Sequence, residues 1–179
     1  MKRLSFDASA AAGNLTSLAS NVYPGRGLVF GLSANKQTLI QLCWTMGRSF
    51  NSQNRVYVPD GGRVRTAFAD PGRGGDPSLV IYDTMLEAPG AGIYVVSNGH
   101  QTNTVLESMS SASTTPSKGF EAGLKDWQYE PDKPNYTPRI TGAFSVGSAC
   151  CLDISILKVG VTGDCQRDHV YSDELHPGY

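Results

Sequence analysis

Between residues 27 and 98 the chain passes through six short runs rich in β-branched and aromatic side chains: GLVFGLS (27–33), QTLIQLCWTM (37–46), RVYVP (55–59), RVRTAFA (63–69), SLVIYDTM (78–85) and GIYVVSN (92–98). Gly, Pro, Asn or Asp separates them, so they read as strands. The links SANKQ and DGG are of hairpin type, which makes neighbouring strands antiparallel. Ahead of these runs, Leu15 to Leu18 followed by Val22 has the spacing of a short helix, stopped by Pro24, Gly25 and Gly27. Beyond them, TNTVLESMSSA (102–112) and PSKGFEAGLKDWQYE (116–130) have helical spacing. The second sets Phe120, Leu124 and Trp127 on one face, with Pro116 in its first turn. TPRITGAFSV (137–146) and CCLDISILKVGV (150–161) then return to alternation across a Gly-Ser turn, while SMSSASTTPS (108–117) reads as a surface loop. Strands, two helices and strands in that order predict an α+β fold with helices packed on a mostly antiparallel sheet.

A chain of 179 residues fits a single domain, because a core of that size buries roughly two-thirds of the unfolded surface. Charged residues are 17% and the formal net charge is -1, so there is no basic field for nucleic acid and no acidic tail. Positive charge is instead local: Arg26, Arg48, Arg55, Arg63, Arg65 and Arg73 fall within 26–73. No segment approaches the roughly 20 apolar residues of a membrane span, and Asp7 interrupts an apolar start too short for a secretory leader. Cys43, Cys150, Cys151 and Cys165 make no CxxC pair, and adjacent Cys150 and Cys151 in a strand point to opposite faces. Zinc and a disulfide framework are therefore disfavoured, and reduced thiols of a cytoplasmic protein are expected. His100, His169 and His176 lack metal-ligand spacing, and His100 reads as a solvated loop residue.

Several stretches concentrate functional groups. GRGLVFG and GRGGD are glycine-rich, yet neither matches a P-loop or a dinucleotide fingerprint. YPGRG (23–27) is a turn into a strand, and Arg26 at the strand's entry can fork onto a phosphate or carboxylate. In GRSFNSQNR (47–55) the polar residues Ser49, Asn51, Ser52 and Asn54 either satisfy a turn or join Arg48 and Arg55 in cradling an anion. The two arginines meet one ligand only if the run bulges or turns. VVSNGHQTNT (95–104) leaves a strand through Asn98 and Gly99 and enters a helix with Thr102 or Asn103 as N-cap; its N–H groups serve the cap or an anion. In YEPDKPNYTPRI (129–140) three prolines fix an ordered path along which sit Tyr129, Glu130, Asp132, Asn135, Tyr136 and Arg139. A Glu130–Arg139 ion pair is the plain structural account of that density.

In their order and spacing, YPGRG, GRSFNSQNR, IYD (81–83), VVSNGHQTNT and YEPDKPNYTPRI resemble the archaeal-type IMP cyclohydrolase family and its bacterial relatives. The resemblance implies a four-layer αββα sandwich like that of the N-terminal nucleophile hydrolases. It does not carry over their mechanism, which needs a terminal Ser, Thr or Cys where this chain reads Met1-Lys2. It implies closure of 5-formamidoimidazole-4-carboxamide ribonucleotide to inosine monophosphate with loss of water, without metal or cofactor, in a homo-oligomer whose partner is a purine nucleotide. Arg55 would polarise a substrate carbonyl, Tyr82 would exchange a proton with the developing alkoxide, and Glu130 would act as base or orient that proton chain. Tyr23, Arg26, Ser49, Asn54, Asn98, Gly99 and Arg139 would hold base, ribose and phosphate. Two departures stand out. Asn103 occupies a position where the resemblance calls for an acidic residue, and DELHPGY (173–179) comes sooner than expected, as in a shortened member or a fragment. A purine-nucleotide-binding module without turnover and an amidohydrolase on a related heterocycle are the alternative readings.

Overall fold

A computed structural model describes residues 1–78, 80–111, 115–147 and 150–177. In chain order these form β1 (Lys2–Arg3), α1 (Ala8–Ser20), β2 (Arg26–Leu32), β3 (Leu39–Thr45), α2 (Phe50–Gln53), β4 (Val56–Asp60) and β5 (Arg63–Ala67). They continue with β6 (Asp83–Ala88), β7 (Ile93–Ser97), α3 (Gln101–Ser110), α4 (Pro116–Leu124), β8 (Arg139–Val146), β9 (Cys150–Val159) and β10 (Cys165–Ser172). Eight strands build one sheet in the order β1-β10-β9-β8-β7-β6-β5-β4, antiparallel throughout except for the parallel β1–β10 pair, while β2 and β3 form a separate hairpin. The architecture is thus mixed α and β with a large, mostly antiparallel sheet and few helices.

Alternation along the central strands assigns the two faces. Ile93, Val95, Ala143 and Leu157 point to one side and meet Val105 and Met109 of α3 and Phe120 and Leu124 of α4 in the buried core. The two helices approach closely because Gly119 and Gly123 carry no side chain; a Cβ there would lie 2.8 Å from the Cα of Met109 and of Val105 respectively. On the opposite face Phe30 of the hairpin stands edge-on to Phe144 at 5.3 Å and fills the space above Gly142. The hairpin's other face is apolar and open, with Val29 40% and Leu42 53% exposed.

Turn chemistry sets the tight corners. Gly61 at φ +59° closes the β4–β5 hairpin, and the β2–β3 link turns through Lys36 at φ 61°. Asp7, read from sequence as an interruption, is the N-cap of α1 and accepts from Ala10 N at 3.0 Å.

Several expectations need correction. The strand expected over 78–85 begins at Asp83, because Val80 N and Ile81 N turn back onto the Pro77 carbonyl. The helix expected over 116–130 ends at Leu124, and Trp127 N closes its last turn onto Leu124 O. Met109, placed in a surface loop, is buried in α3. Thr102 and Asn103 are inside α3, whose cap position is His100. Leu79 of the expected strand, 112–114 of the expected helix end and loop, and Ser148 of the expected turn lie outside the described residues. Among the described residues no helix is long and apolar enough to cross a membrane.

Candidate active site

A cavity of about 740 Å³ opens between the hairpin, α2 and the proline-rich loop ahead of β8. Its wall begins with YPGRG. Gly25 takes φ +64°, a conformation open to glycine, and its carbonyl accepts from Met46 N at 2.8 Å. The Tyr23 hydroxyl donates to Met46 O at 2.9 Å, tying this loop to the end of β3. The tie places Arg26, the first residue of β2, on the wall.

The segment 47–55 does turn, through the single helical turn α2. Ser49 caps it, accepting from Ser52 N at 3.2 Å while Ser52 Oγ accepts from Ser49 N at 2.9 Å. That turn separates the two arginines. Arg48 lines the cavity beside Ser49 and Ser52, whereas Arg55 passes behind it. Asn54 takes no part in the cavity: it is buried, and its amide donates to Asp70 O and accepts from Asp70 N, both at 2.8 Å.

Arg55 runs to Tyr82. Its Nη1 lies 3.5 Å from the phenol oxygen and its guanidinium carbon 5.9 Å from the ring centre, while Nη2 is buried without a hydrogen-bond partner. Tyr82 is 4% exposed, and Thr66, fully buried, fixes its backbone by accepting from Tyr82 N at 2.8 Å. Burial pushes the phenol above its ordinary value, against the opposing pull of Arg55 and Arg26. The exposed His100 sets its ring edge-on to Tyr82 and bonds to Ser78 O, so it is anchored rather than simply solvated.

The proline-rich loop delivers the carboxylate. Glu130 N donates to Thr137 O, and Asp132 accepts from both Thr137 N and Thr137 Oγ1, which closes the loop on itself. Glu130 is 2% exposed, and its Oε1 accepts from Arg26 Nη1 at 2.6 Å, with Arg139 Nη1 3.8 Å away. The Glu130–Arg139 pair expected from sequence is thus present, and Arg26, not expected there, is the closer partner. Burial works against charge on Arg26, but Glu130 outweighs it and raises the guanidinium; for Arg139 burial prevails and the shift is downward.

Asn98 borders the cavity, yet its amide is spent on the entry to β8, donating to Pro138 O at 2.8 Å and accepting from Ile140 N at 2.9 Å. Gly99 offers no free donor, since its N–H goes to Ser97 Oγ at 3.2 Å. It acts by clearance: a Cβ there would lie 2.4 Å from Arg139 Nη1. Arg139, 6% exposed, stands behind Glu130 against the Trp127 ring, with Nε lacking a partner.

Tyr23, Arg26, Ser49, Asn98 and Glu130 thus share the cavity wall, Arg55, Tyr82 and Arg139 back it, and Asn54 and Gly99 are structural. Arg26 and Arg139 both reach the Glu130 carboxylate, at 2.6 and 3.8 Å, while Arg55 reaches Tyr82; Arg48, Asp132 and Lys133 complete the charged lining. The family model of IMP cyclohydrolase-like proteins matches residues 23–164, which span every one of these groups. The chain belongs to that family. No curated protein matches it.

Within this IMP cyclohydrolase-like chain the departure at Asn103 falls outside the cavity, where its amide donates to Asp83 Oδ2 at 3.3 Å. Sequence reading left Lys133 and Gln101 without a role. Lys133 lines the rim with Arg48, and its position in the proline-fixed loop was the available sign. Gln101, fully buried, accepts from Arg139 Nη1 at 3.1 Å. A second depression of about 640 Å³ lies between α1 and the segment after β10, where Phe6 stacks on His176. Arg3 and Glu174 on its lining are exposed, unlike the buried Glu130 of the first cavity. Among the described residues no group of three or more His, Cys, Asp or Glu is placed to hold a metal ion.

Proposed function

We propose that this chain closes 5-formamidoimidazole-4-carboxamide ribonucleotide to inosine monophosphate with loss of water. One observation carries the reading: Glu130, shared by Arg26 and Arg139, sits in the wall of a nucleotide-sized cavity, so the guanidiniums outnumber the carboxylate they meet. A ribonucleotide supplies the phosphate dianion such an excess favours, and Arg48 and Lys133 at the rim extend it. Both reacting groups belong to one substrate, so proximity is largely built in. The site's task is to hold the closing rotamer and move protons.

In this reading the carboxamide nitrogen attacks the formyl carbon, forming the new C–N bond. Glu130 takes the nitrogen's proton, Arg55 polarises the formyl oxygen, and Tyr82 delivers the proton that makes that oxygen a hydroxyl. Protonated Glu130 returns its proton to the hydroxyl, which leaves as water while the formamido nitrogen gives its N–H proton to the Tyr82 phenolate and the C=N bond forms, completing the ring. Tyr23, Arg26 and Ser49 hold the nucleotide, and Arg139 supports Glu130 from behind. We extend the reading to a four-layer αββα sandwich, since the helix pair, the large sheet and the hairpin stack in that order and the open apolar face of the hairpin is what a further helical layer would cover. It also takes the protein as one domain, homo-oligomeric and cytoplasmic.

The absorbance change on cyclisation tests the reaction. Arg55→Lys and Tyr82→Phe are each expected to lower kcat by about 10²-fold. Parent-like rates in both variants would remove those roles. A nucleotide-binding module is the second reading, favoured by the position of Arg55 and Tyr82 behind the wall. A melting shift with inosine monophosphate and no turnover would select it.

A further inference from the structure

We propose that Gln101 is a positioning residue for Glu130: by accepting from Arg139, its neutral amide keeps that guanidinium from closing on a carboxylate that Arg26 already holds. The proposal deepens the cyclohydrolase reading and rests on Glu130 as its base.

Gln101 is the first residue of α3 and has no exposed surface. Its Nε2 donates to Thr141 Oγ1 at 3.2 Å and has Asn98 Oδ1 at 3.3 Å and Ile140 O at 3.4 Å. Three acceptors on that side fix the amide's orientation and leave Oε1 facing Arg139. Arg139 Nη1 is then 3.1 Å from Gln101 Oε1 and 3.8 Å from Glu130 Oε1, whereas Arg26 Nη1 is 2.6 Å from the same carboxylate oxygen. Gly99 leaves the space in which this sharing occurs, since a Cβ would lie 2.7 Å from Gln101 Oε1 as well as against Arg139.

A carboxylate gripped by two guanidiniums resists protonation and makes a poor base; one held by a single arginine keeps its orientation and remains able to accept a proton. The charged and titratable groups facing Glu130 are Arg26 from β2, Arg139 from β8, Tyr82 ahead of β6 and Asp132 of its own loop, with Arg55 acting through Tyr82. Among them Arg139 is the one whose distance from Glu130 a neutral side chain controls.

The two directions can be tested separately. Gln101→Met removes the acceptor and releases Arg139 toward Glu130, so the acid limb of the pH–rate profile moves to lower pH. Gln101→Glu adds a negative charge that captures Arg139 and favours protonation nearby, so the limb moves to higher pH. Each shift is expected to be about half a pH unit or more, with kcat lowered about 10-fold and KM within about threefold. Acid limbs that coincide with the parent's in both variants, or losses confined to KM, would overturn the proposal. Exchange of the Arg139 guanidinium protons, followed by ¹⁵N NMR, decides the matter without turnover. Slow exchange in the parent and fast exchange in Gln101→Met support the clamp, and equal exchange refutes it. A parent without turnover but with this exchange difference would remove the cyclohydrolase reading and leave the clamp standing.

Discussion

Replacing Glu130 by Gln separates a catalytic carboxylate from a structural one, because the two roles predict opposite changes in nucleotide affinity. The amide oxygen still accepts the Arg26 N–H that now spans 2.6 Å, so the shape of the site is kept and its charge is lost. A hydrogen bond to a charged acceptor is worth about 1.5–3 kcal/mol and a neutral one about half that. With the weaker 3.8 Å contact to Arg139 added, the expected destabilisation is about 2 kcal/mol, or about 4–8 °C in Tm for a chain of this size. Loss of the base lowers kcat by about 10²-fold or more. The positive excess rises by one and the repulsion between carboxylate and phosphate disappears, so inosine monophosphate binds at least as tightly as before. Calorimetric titration and melting curves with and without the nucleotide give affinity and stability, and the absorbance assay gives rate. A variant that cyclises within about threefold of the parent, or that loses affinity in step with rate, would refute the assignment.

Gly99→Ala is expected to force the Arg139 guanidinium back by about 1 Å, since the added Cβ would lie 2.4 Å from Nη1; kcat should fall by about 10²-fold. Gly90→Ala, whose Cβ meets nothing within 4 Å, is the matched control. On the far face of the sheet, His169 lies between Asp153 and Glu121, each 3.0 Å from a ring nitrogen, with Ser117 donating to Asp153 and the Phe120 ring alongside. Burial opposes its charge, but the two carboxylates outweigh it and raise His169 above the ordinary 6.5. A value raised on folding stabilises fully below the unfolded value and is lost as pH rises through the folded one, so the urea midpoint should decline above about pH 6.5. His169→Gln should flatten that dependence; an unchanged slope would assign it to other groups.

Sequence patterning exposed those elements whose side chains follow the strand rule. GLVFGLS and QTLIQLCWTM became β2 and β3 almost at their expected limits, since each alternates across the hairpin. β10 went unread because its inward positions are polar: Arg167 donates to the Leu124 and Trp127 carbonyls at the end of α4, and His169 meets buried Asp153. A hydrophobic pattern cannot report an inward face built from charges that helix ends and carboxylates satisfy. The charged members of the site were legible from their motifs, but their layering was not. Whether Arg48 or Arg55 reached the cavity depended on the Ser49 cap that turns the chain between them.

The amides explain why the charged groups remain available. Asn54, Asn98 and Gln101, residues of the kind that hold ligands, are committed to Asp70, to the entry of β8 and to Arg139. Each bridges two segments distant in sequence and replaces the water those buried polar groups would otherwise need. With loops fixed largely by neutral groups, Arg26 and Arg139 share the single carboxylate of Glu130, while Arg55 faces Tyr82. Among the described residues, two of the buried side-chain polar atoms without a partner belong to these guanidiniums, Arg55 Nη2 and Arg139 Nε. Neutral amides carry the scaffold, and the uncompensated charge is left to meet an anion. Building the loops on ion pairs instead would cancel that excess, so Asn98→Asp, which adds a negative charge at the cavity's border, should weaken nucleotide binding even where the fold survives.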